Sequence, residues 1–444
     1  MYQKYASEAM EFIQKIEADG CRFPGSAEEK AAAEKIQTEI KKRTNLTPKT
    51  EEFVFAPRAS IGAINYLGWA TLALLVFYYI SATAAILALV GYVGILVFTL
   101  TQIIRYTGMW DFCFKKEKAK NIITELGEGN TTVFLGAHYD SSWCWKLSVQ
   151  NPKTALIKAG YGVLCALAMI GFSIMNIKIN FAGGTYGGFV ATYVVPIFFI
   201  PGFFFITQFL SHDKTIGSPG AMDNLSGIGV NMMVMKYFKD HPEELPKDIK
   251  LVNICFAAEE AGLKGSSAYA KAHKSEPALK NAYQINVDSI ADAGHFEVVK
   301  GDLWQGTKFD QRLIDMSLEA MRETGKVANP KTIVNPIGGC DSTPFCKIGI
   351  PTVTIAAQNP TPTNYYHTCL DKSERFEAST LETGIEIIVR LVKKIGAIGS
   401  VPHTFNVDAP EQKTAEAPTA EAPADAVMES VSEILSADAE NPEE

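Results

Sequence analysis

The 444-residue chain has no CxxC pair and no zinc-knuckle spacing among its eight cysteines, which excludes a zinc-ribbon or thioredoxin-like module. It has no stretch of Lys and Arg interleaved with aromatics, which argues against a nucleic-acid partner. Its opening residues, MYQKYASEAMEF, are amphipathic and lack the apolar core of a signal peptide. The cysteines (21, 113, 144, 165, 255, 340, 346, 369) are scattered and read as reduced thiols packed as small apolar groups, which favours a reducing compartment.

Charge is also missing over Ile61–Ile104, 44 residues without one Asp, Glu, Lys, Arg or His. One membrane span needs about 20 residues, so this block reads as two helices with a tight turn near Ser81. A second apolar block, 154–210, has spans at roughly 159 to 176 and 187 to 210, joined by NIKINFAGGTYG. The apolar share of 47% fits two membrane hairpins added to a globular core. The net charge of −8 is concentrated at one end. From Asp408 onward there are eleven carboxylates and one lysine, so the rest of the chain is near +2. That acidic tail, 403–444, is rich in Ala, Pro and Glu and reads as disordered, with a transient helix over AVMESVSEIL.

Outside these blocks strand and helix patterns alternate. Residues 2 to 18 and 26 to 43 have apolar residues at helical spacing, and SAEE supplies a capping signal for the second. TEEFVFAP alternates like a strand, and NIITEL and TTVFLGAH, joined by the turn signal GEGN, read as an antiparallel hairpin. After 217 the strands IKLVNICFAA, AYQINVDS and IPTVTIAA alternate with helices, ending in LETGIEIIVRLVKKIG. The pattern predicts an α/β fold with a mixed, mostly parallel sheet and helices on both faces, plus four transmembrane helices in two hairpins. The globular domain is then discontinuous, comprising 1–60, 105–153 and 211–402, with hairpins at 61–104 and 154–210.

Five short pieces sit at predicted strand ends or in the loops after them: AHYD (His138, Asp140), AMDN (Asp223), AEE (Glu259, Glu260), NVDS (Asp288) and YYHT (His367). Each alone is weak, because a His near an Asp or a pair of glutamates is common. Together they place imidazoles and carboxylates where α/β folds build their sites. Two imidazoles, two aspartates and one glutamate form a mixed N/O ligand set that suits zinc. One carboxylate can bridge two ions about 3.5–4 Å apart and leave open positions for water and substrate.

The order GAHYDS, GAMDNLSG, EEAGLKGS, NVDSIA, YYHT resembles the co-catalytic di-zinc aminopeptidase family of metallopeptidases, whose relatives include glutamate carboxypeptidases and glutaminyl cyclases. The resemblance covers roughly residues 5 to 60 and 117 to 400. It implies a zinc-exopeptidase fold and two Zn(2+) ions, one held by His138, Asp223 and Asp288, the other by Asp223, Glu260 and His367. It implies that Glu259 moves the proton between the attacking water and the leaving amine, that Asp140 orients His138, and that Tyr366 helps polarise the scissile carbonyl. It also implies a cis peptide between Asp223 and Asn224. Asp341, in GGCDSTPF, is a candidate for supporting the site or for a loop turn. His212, His241, His273, His295 and His403 match nothing. His138 and Asp223 lie 85 positions apart; without 154–210 they would be 28 apart, so the second hairpin reads as an insertion into an ordinary loop.

The expected activity is that of a membrane-anchored di-zinc exopeptidase, an aminopeptidase acting on peptides near the membrane surface. A carboxypeptidase, a glutaminyl cyclase or a non-catalytic membrane scaffold are the alternatives. No arginine cluster stands ready for a substrate carboxylate, and no ligand is lost. Arg58, Arg105, Lys115, Lys116, Lys118, Lys120, Lys146, Lys153, Lys158 and Lys214 flank the spans on the domain side, against Lys178 on the other. By the positive-inside rule the domain faces the cytoplasm. TTVFLGAH ends at His138, and both hairpins leave at that edge of the sheet, so the catalytic mouth is expected to face the bilayer.

Overall fold

The computed structural model describes residues 1–145, 154–209, 216–359 and 365–398. Eight strands form one sheet: β1 Lys49–Phe55, β2 Glu117–Leu126, β3 Thr131–His138, β4 Ile249–Phe256, β5 Ala282–Ile290, β6 Phe296–Asp302, β7 Lys331–Asn335 and β8 Thr352–Ala357. Their order is β1-β2-β4-β3-β5-β8-β6-β7. β4, β3, β5 and β8 are mutually parallel neighbours, as are β6 and β7; the pairs β1/β2, β2/β4 and β6/β8 are antiparallel. The sheet is therefore mixed and mostly parallel, as the sequence pattern predicts.

All eight residues of β3 are buried. A strand with no polar face must be covered on both sides, and helices supply the cover. Gln3–Glu17, Gly227–Asp240 and Ala378–Ile398 pack with β3, β5 and β8 into the main core. Lys264–His273 and the short helix Ser342–Lys347 contribute to a second core built around Phe134, Phe256 and Phe345.

One pairing differs from the sequence expectation. β2 and β3 are consecutive but are not neighbours, because β4 lies between them. The connecting turn straddles the start of β4 and does not close a hairpin. Asp248 accepts Thr131 N–H on its carbonyl (2.9 Å) and the Thr131 hydroxyl on its carboxylate (2.8 Å). β2 runs antiparallel to β4 and β4 parallel to β3, so the start of β2 still lies at the edge where β3 ends. The strands FEVVKGD (β6) and KTIVN (β7) were not expected from sequence.

The apolar blocks form helices Ile64–Ile80, Ala82–Phe98 and Ala155–Ala182 and a broken helical run over 186–209, with the first break at Ser81 as expected. Four segments, Ile61–Ile80, Thr83–Ile104, Gly160–Ala182 and Tyr186–Phe205, are long and apolar enough to cross a membrane. A water-soluble helix of this composition would be covered, yet no more than 33% of any of these segments is buried. The helices share a small core of their own, including Leu75, Tyr78, Tyr92, Cys165, Met169 and Phe203. The connector NIKINFAGGTYG is shorter than expected, because helix continues to Ala182. Asn176 is tolerated there by turning inward, where its Nδ2 donates to the Tyr78 carbonyl (3.1 Å), while the exposed Asn180 donates its Nδ2 to the Tyr193 hydroxyl (2.6 Å). The acidic tail, His212 and His403 lie outside the described residues.

Candidate metal centre and active site

Four parallel strands, adjacent in the sheet, deliver the predicted groups to one edge. His138 ends β3, Glu259 and Glu260 follow β4, Asp288 lies near the end of β5, and His367 follows β8. The chain turns to β4 on one side of β3 and β5 on the other, which opens the crevice expected of such sheets. Asp223 arrives from the irregular turn Ala221–Ser226, ahead of helix Gly227–Asp240, and the bond between Asp223 and Asn224 is cis.

The shared carboxylate lies at the centre of this geometry. Asp223 Oδ1 is 3.0 Å from His138 Nε2, and Asp223 Oδ2 is 3.0 Å from His367 Nε2. Glu260 Oε1 is 3.1 Å from the same His367 nitrogen. His138, Asp223 and Asp288 form one trio whose ligand atoms lie within 4.8 Å of one another; Asp223, Glu260 and His367 form another. Each trio could hold a metal ion. Among the described residues a third grouping, His241 with Glu243 and Glu244, is more exposed, and Glu244 is already held by Lys393 and Tyr237.

The donor chemistry fits divalent ions. Burial and the charges of Glu260, Asp341 and Asp288 push the Glu259 carboxyl well up, though His138 opposes them. Burial also raises Asp288, to about 6, with the Asp223 charge adding to it. Burial would lower the imidazoles, yet carboxylates lift both: Glu259, Asp140 and Asp223 act on His138, and Glu260 and Asp223 hold His367 at about 10. Burial would raise Asp223, but the two imidazoles hold it well below the usual carboxylate range. A buried cluster so rich in negative charge calls for cations, and apart from the His367 nitrogen Glu260 Oε1 has no polar partner.

The supporting shell is dense. Asp140 accepts the backbone N–H groups of Glu259 and Glu260, at 3.0 Å each, and so fixes both glutamates. Its expected hydrogen bond to His138 is not made: Oδ1 stands 3.5 Å from Nδ1 because both carboxylate oxygens are drawn to these amides. Glu29 accepts the N–H of Ala258 (3.0 Å) from the other side. Asp341 is fully buried, and burial pushes its carboxyl up to about 7 although the His138 charge pulls the other way. The Tyr366 ring stacks on His367, with centroids 3.9 Å apart. Of six non-glycine residues with positive φ among those described, five (Tyr106, Ala258, Leu263, Ser289, His367) lie in the site or beside it. Each costs about 1–2 kcal/mol, the kind of strain that accumulates at functional sites.

Several contributors were missed in the sequence. Asp371 accepts the N–H groups of Met222 (2.8 Å) and Asp223 (3.2 Å), clamping the turn of the shared ligand. Arg22, fully buried, donates to the carbonyls of Tyr139 (2.7 Å), Pro219 (2.7 Å) and Gly220 (3.0 Å), joining the His138 loop to the Asp223 loop. Gly220 is required where they meet: its φ is +63, and a Cβ there would lie 2.7 Å from Arg22 Nη2 and from Ser141 Cβ. Asp371 had a faint signal, four residues after His367 in HTCLD; Arg22 had none beyond a lone cation between two helices. His241, His273 and His295 do not line the cavity.

The fold is similar to that of solved zinc exopeptidases and glutaminyl cyclases. A Zn-dependent exopeptidase from Parabacteroides distasonis superposes with a TM-score of 0.51, at 16% identity over 87% of this chain and 97% of that one. A glutaminyl cyclase from an Acidobacteriales bacterium gives 0.52, at 14% identity over 89% and 96%. Residues 209–392 match the profile of Peptidase family M28. It is similar to Aminopeptidase YwaD of Bacillus subtilis (strain 168), 27% identical over 191 residues; the match spans 41% of this chain and 39% of that protein. His138 and Asp140 fall outside the profile match, which begins at the end of the second apolar block.

Proposed function

We propose that this protein is a membrane-anchored zinc exopeptidase that removes amino-terminal residues from peptides. Two Zn(2+) ions would be held, one by His138, Asp223 and Asp288 and one by Asp223, Glu260 and His367. When bound, such ions polarise a carbonyl as Lewis acids and lower the pKa of water. The chain's own residues do the rest. Glu259 lines the cavity outside both trios, its Oε2 3.9 Å from His138 Nε2. Its carboxylate accepts the proton of the attacking water and returns it to the leaving amine. Asp140 keeps that carboxylate in place through the backbone, and the Tyr366 hydroxyl donates toward the scissile carbonyl oxygen.

The observation that carries the aminopeptidase reading is the polarity of the cavity. Among the described residues that line it there is no lysine or arginine, whereas Glu297 and the metal-site carboxylates face it. A substrate carboxylate would find no cation there, while a free α-ammonium finds anions. The apolar segments anchor the domain to the bilayer as a multi-pass protein of the cell membrane. The basic residues flanking them on the domain side, Arg58 and Arg105 to Lys116 among them, support a cytoplasmic domain. Its substrates are then peptides at or near the membrane surface. A panel of aminoacyl reporter substrates, assayed with and without chelator, tests the activity: chelator-sensitive release supports it, and no release from any reporter rejects it.

A further inference from the structure

The first apolar hairpin does more than tether. Ile61 and Ile64 at its start, Ile103 at its end and Tyr106 just beyond line the same cavity as Glu259, Asp288 and His367. The sheet explains how. β1 and β2, the strands that lead into and out of the hairpin, pair antiparallel with Phe55 opposite Glu117. That end of β2 lies at the edge where β3 and β4 deliver His138 and Glu259.

Both feet of the hairpin are fastened to the turn that follows the glutamate pair. A Cβ on Gly262 would lie 2.9 Å from the Tyr106 ring and 3.0 Å from the hydroxyl of Ser60, so the two feet close on this glycine. Asp111 takes Lys264 Nζ at 3.0 Å and accepts Gln102 Nε2 at 2.6 Å, tying the returning foot to the same segment. On the other side Gln305 Nε2 donates to the Ile104 carbonyl at 2.6 Å, which seats the hairpin against the loop carrying Trp304. Trp304 lines the cavity too.

We propose that this hairpin is a structural part of the substrate pocket, and that Ile61, Ile64 and Ile103 form the wall that selects the first side chain of the peptide. Resting on the aminopeptidase reading above, the proposal names which residues set its specificity. Three β-branched apolar side chains line the cavity together with Trp304, while its polar groups come from the metal site, Tyr106, Tyr366, Glu297, Ser289, Asn335, Thr354 and Gln358. Such a wall gains free energy from a bulky apolar side chain and little from a methyl group. The selected substrates are peptides beginning with a large aliphatic or aromatic residue. Because the wall is built from the ends of membrane-spanning segments, selection depends on how the hairpin is seated.

The test uses the full-length chain in detergent, with leucyl and alanyl reporters compared for the native protein, Ile64→Asn and Ile103→Asn. Losing an apolar contact in such a pocket is worth about tenfold in discrimination. The leucyl-to-alanyl ratio of kcat/KM should therefore fall about tenfold in each variant and recover in Ile64→Val and Ile103→Val. Binding of leucinamide, read from the tryptophan emission of the pocket, should weaken in parallel. An unchanged ratio, or equal loss on both reporters and in the valine variants, overturns the proposal. If the native protein cleaves neither reporter, the aminopeptidase reading is what has failed.

Discussion

Asp371 accepts the backbone N–H of Asp223 at 3.2 Å, so a residue outside both trios holds the carboxylate that the two trios share. Its other oxygen takes Met222 N–H at 2.8 Å, which leaves the turn little freedom to swing. Removing a group that orients a ligand weakens metal binding by about 10–100-fold. Asp371→Ala is expected to show that loss when zinc is titrated into chelator-stripped protein. Native affinity in the variant would show that the clamp does not position Asp223.

Adjacent glutamates are expected to divide their work. Glu259→Gln should keep its zinc and lose turnover by about 10²–10⁴-fold. Glu260→Gln should lose metal as well, because Glu260 belongs to a trio and Glu259 does not. Elemental analysis of both variants decides the matter; equal metal content would reverse the assignment.

Away from the site, His273 offers a pH-dependent contribution to stability. Burial would lower its pKa, but Glu51 (2.9 Å) and Glu276 (2.6 Å) raise it above the ordinary imidazole value. A raised folded value means the contribution is complete below the unfolded pKa of about 6.5 and is lost as the pH climbs through the folded value. The melting temperature of the native protein minus that of His273→Gln should thus be largest in mild acid and shrink on the alkaline side. A difference that grows with pH would contradict the ion-pair account.

Membrane orientation can be read from two exposed thiols, Cys113 and Cys369. With the domain in the cytoplasm, a membrane-impermeant thiol reagent should leave both unlabelled in intact cells and label them after permeabilisation. Labelling of Cys369 before permeabilisation would place the domain on the outer face.

Much of this was legible in sequence because the chemistry sits on strand ends. His138, Glu259, Glu260 and Asp288 each follow or close an apolar run, and such runs are recognisable without long-range information. The break at Ser81 was legible for the same reason, since 44 uncharged residues exceed one span. Pairing was not. GEGN looks like a hairpin turn, but β4, more than a hundred residues further on, is inserted between β2 and β3, where Asp248 holds Thr131. Arg22 was illegible and Asp371 only faintly marked, because their role is to bind backbone carbonyls and amides of distant loops. The hairpin's share in the cavity was equally hidden, since Ile61 and Ile103 look like ordinary membrane residues until the fold closes.

Zinc-dependent release of residues from a free amino terminus distinguishes this activity from its alternatives. The most direct measurement follows one unblocked peptide by mass spectrometry, beside its N-acetylated and C-terminally amidated twins. Successive loss from the amino end is predicted for the free and the amidated peptides and none for the acetylated one. The loss should stop with chelator and return with zinc. Shortening from the carboxyl end, cleavage of the acetylated peptide, or cyclisation of an amino-terminal glutamine without shortening would contradict the account.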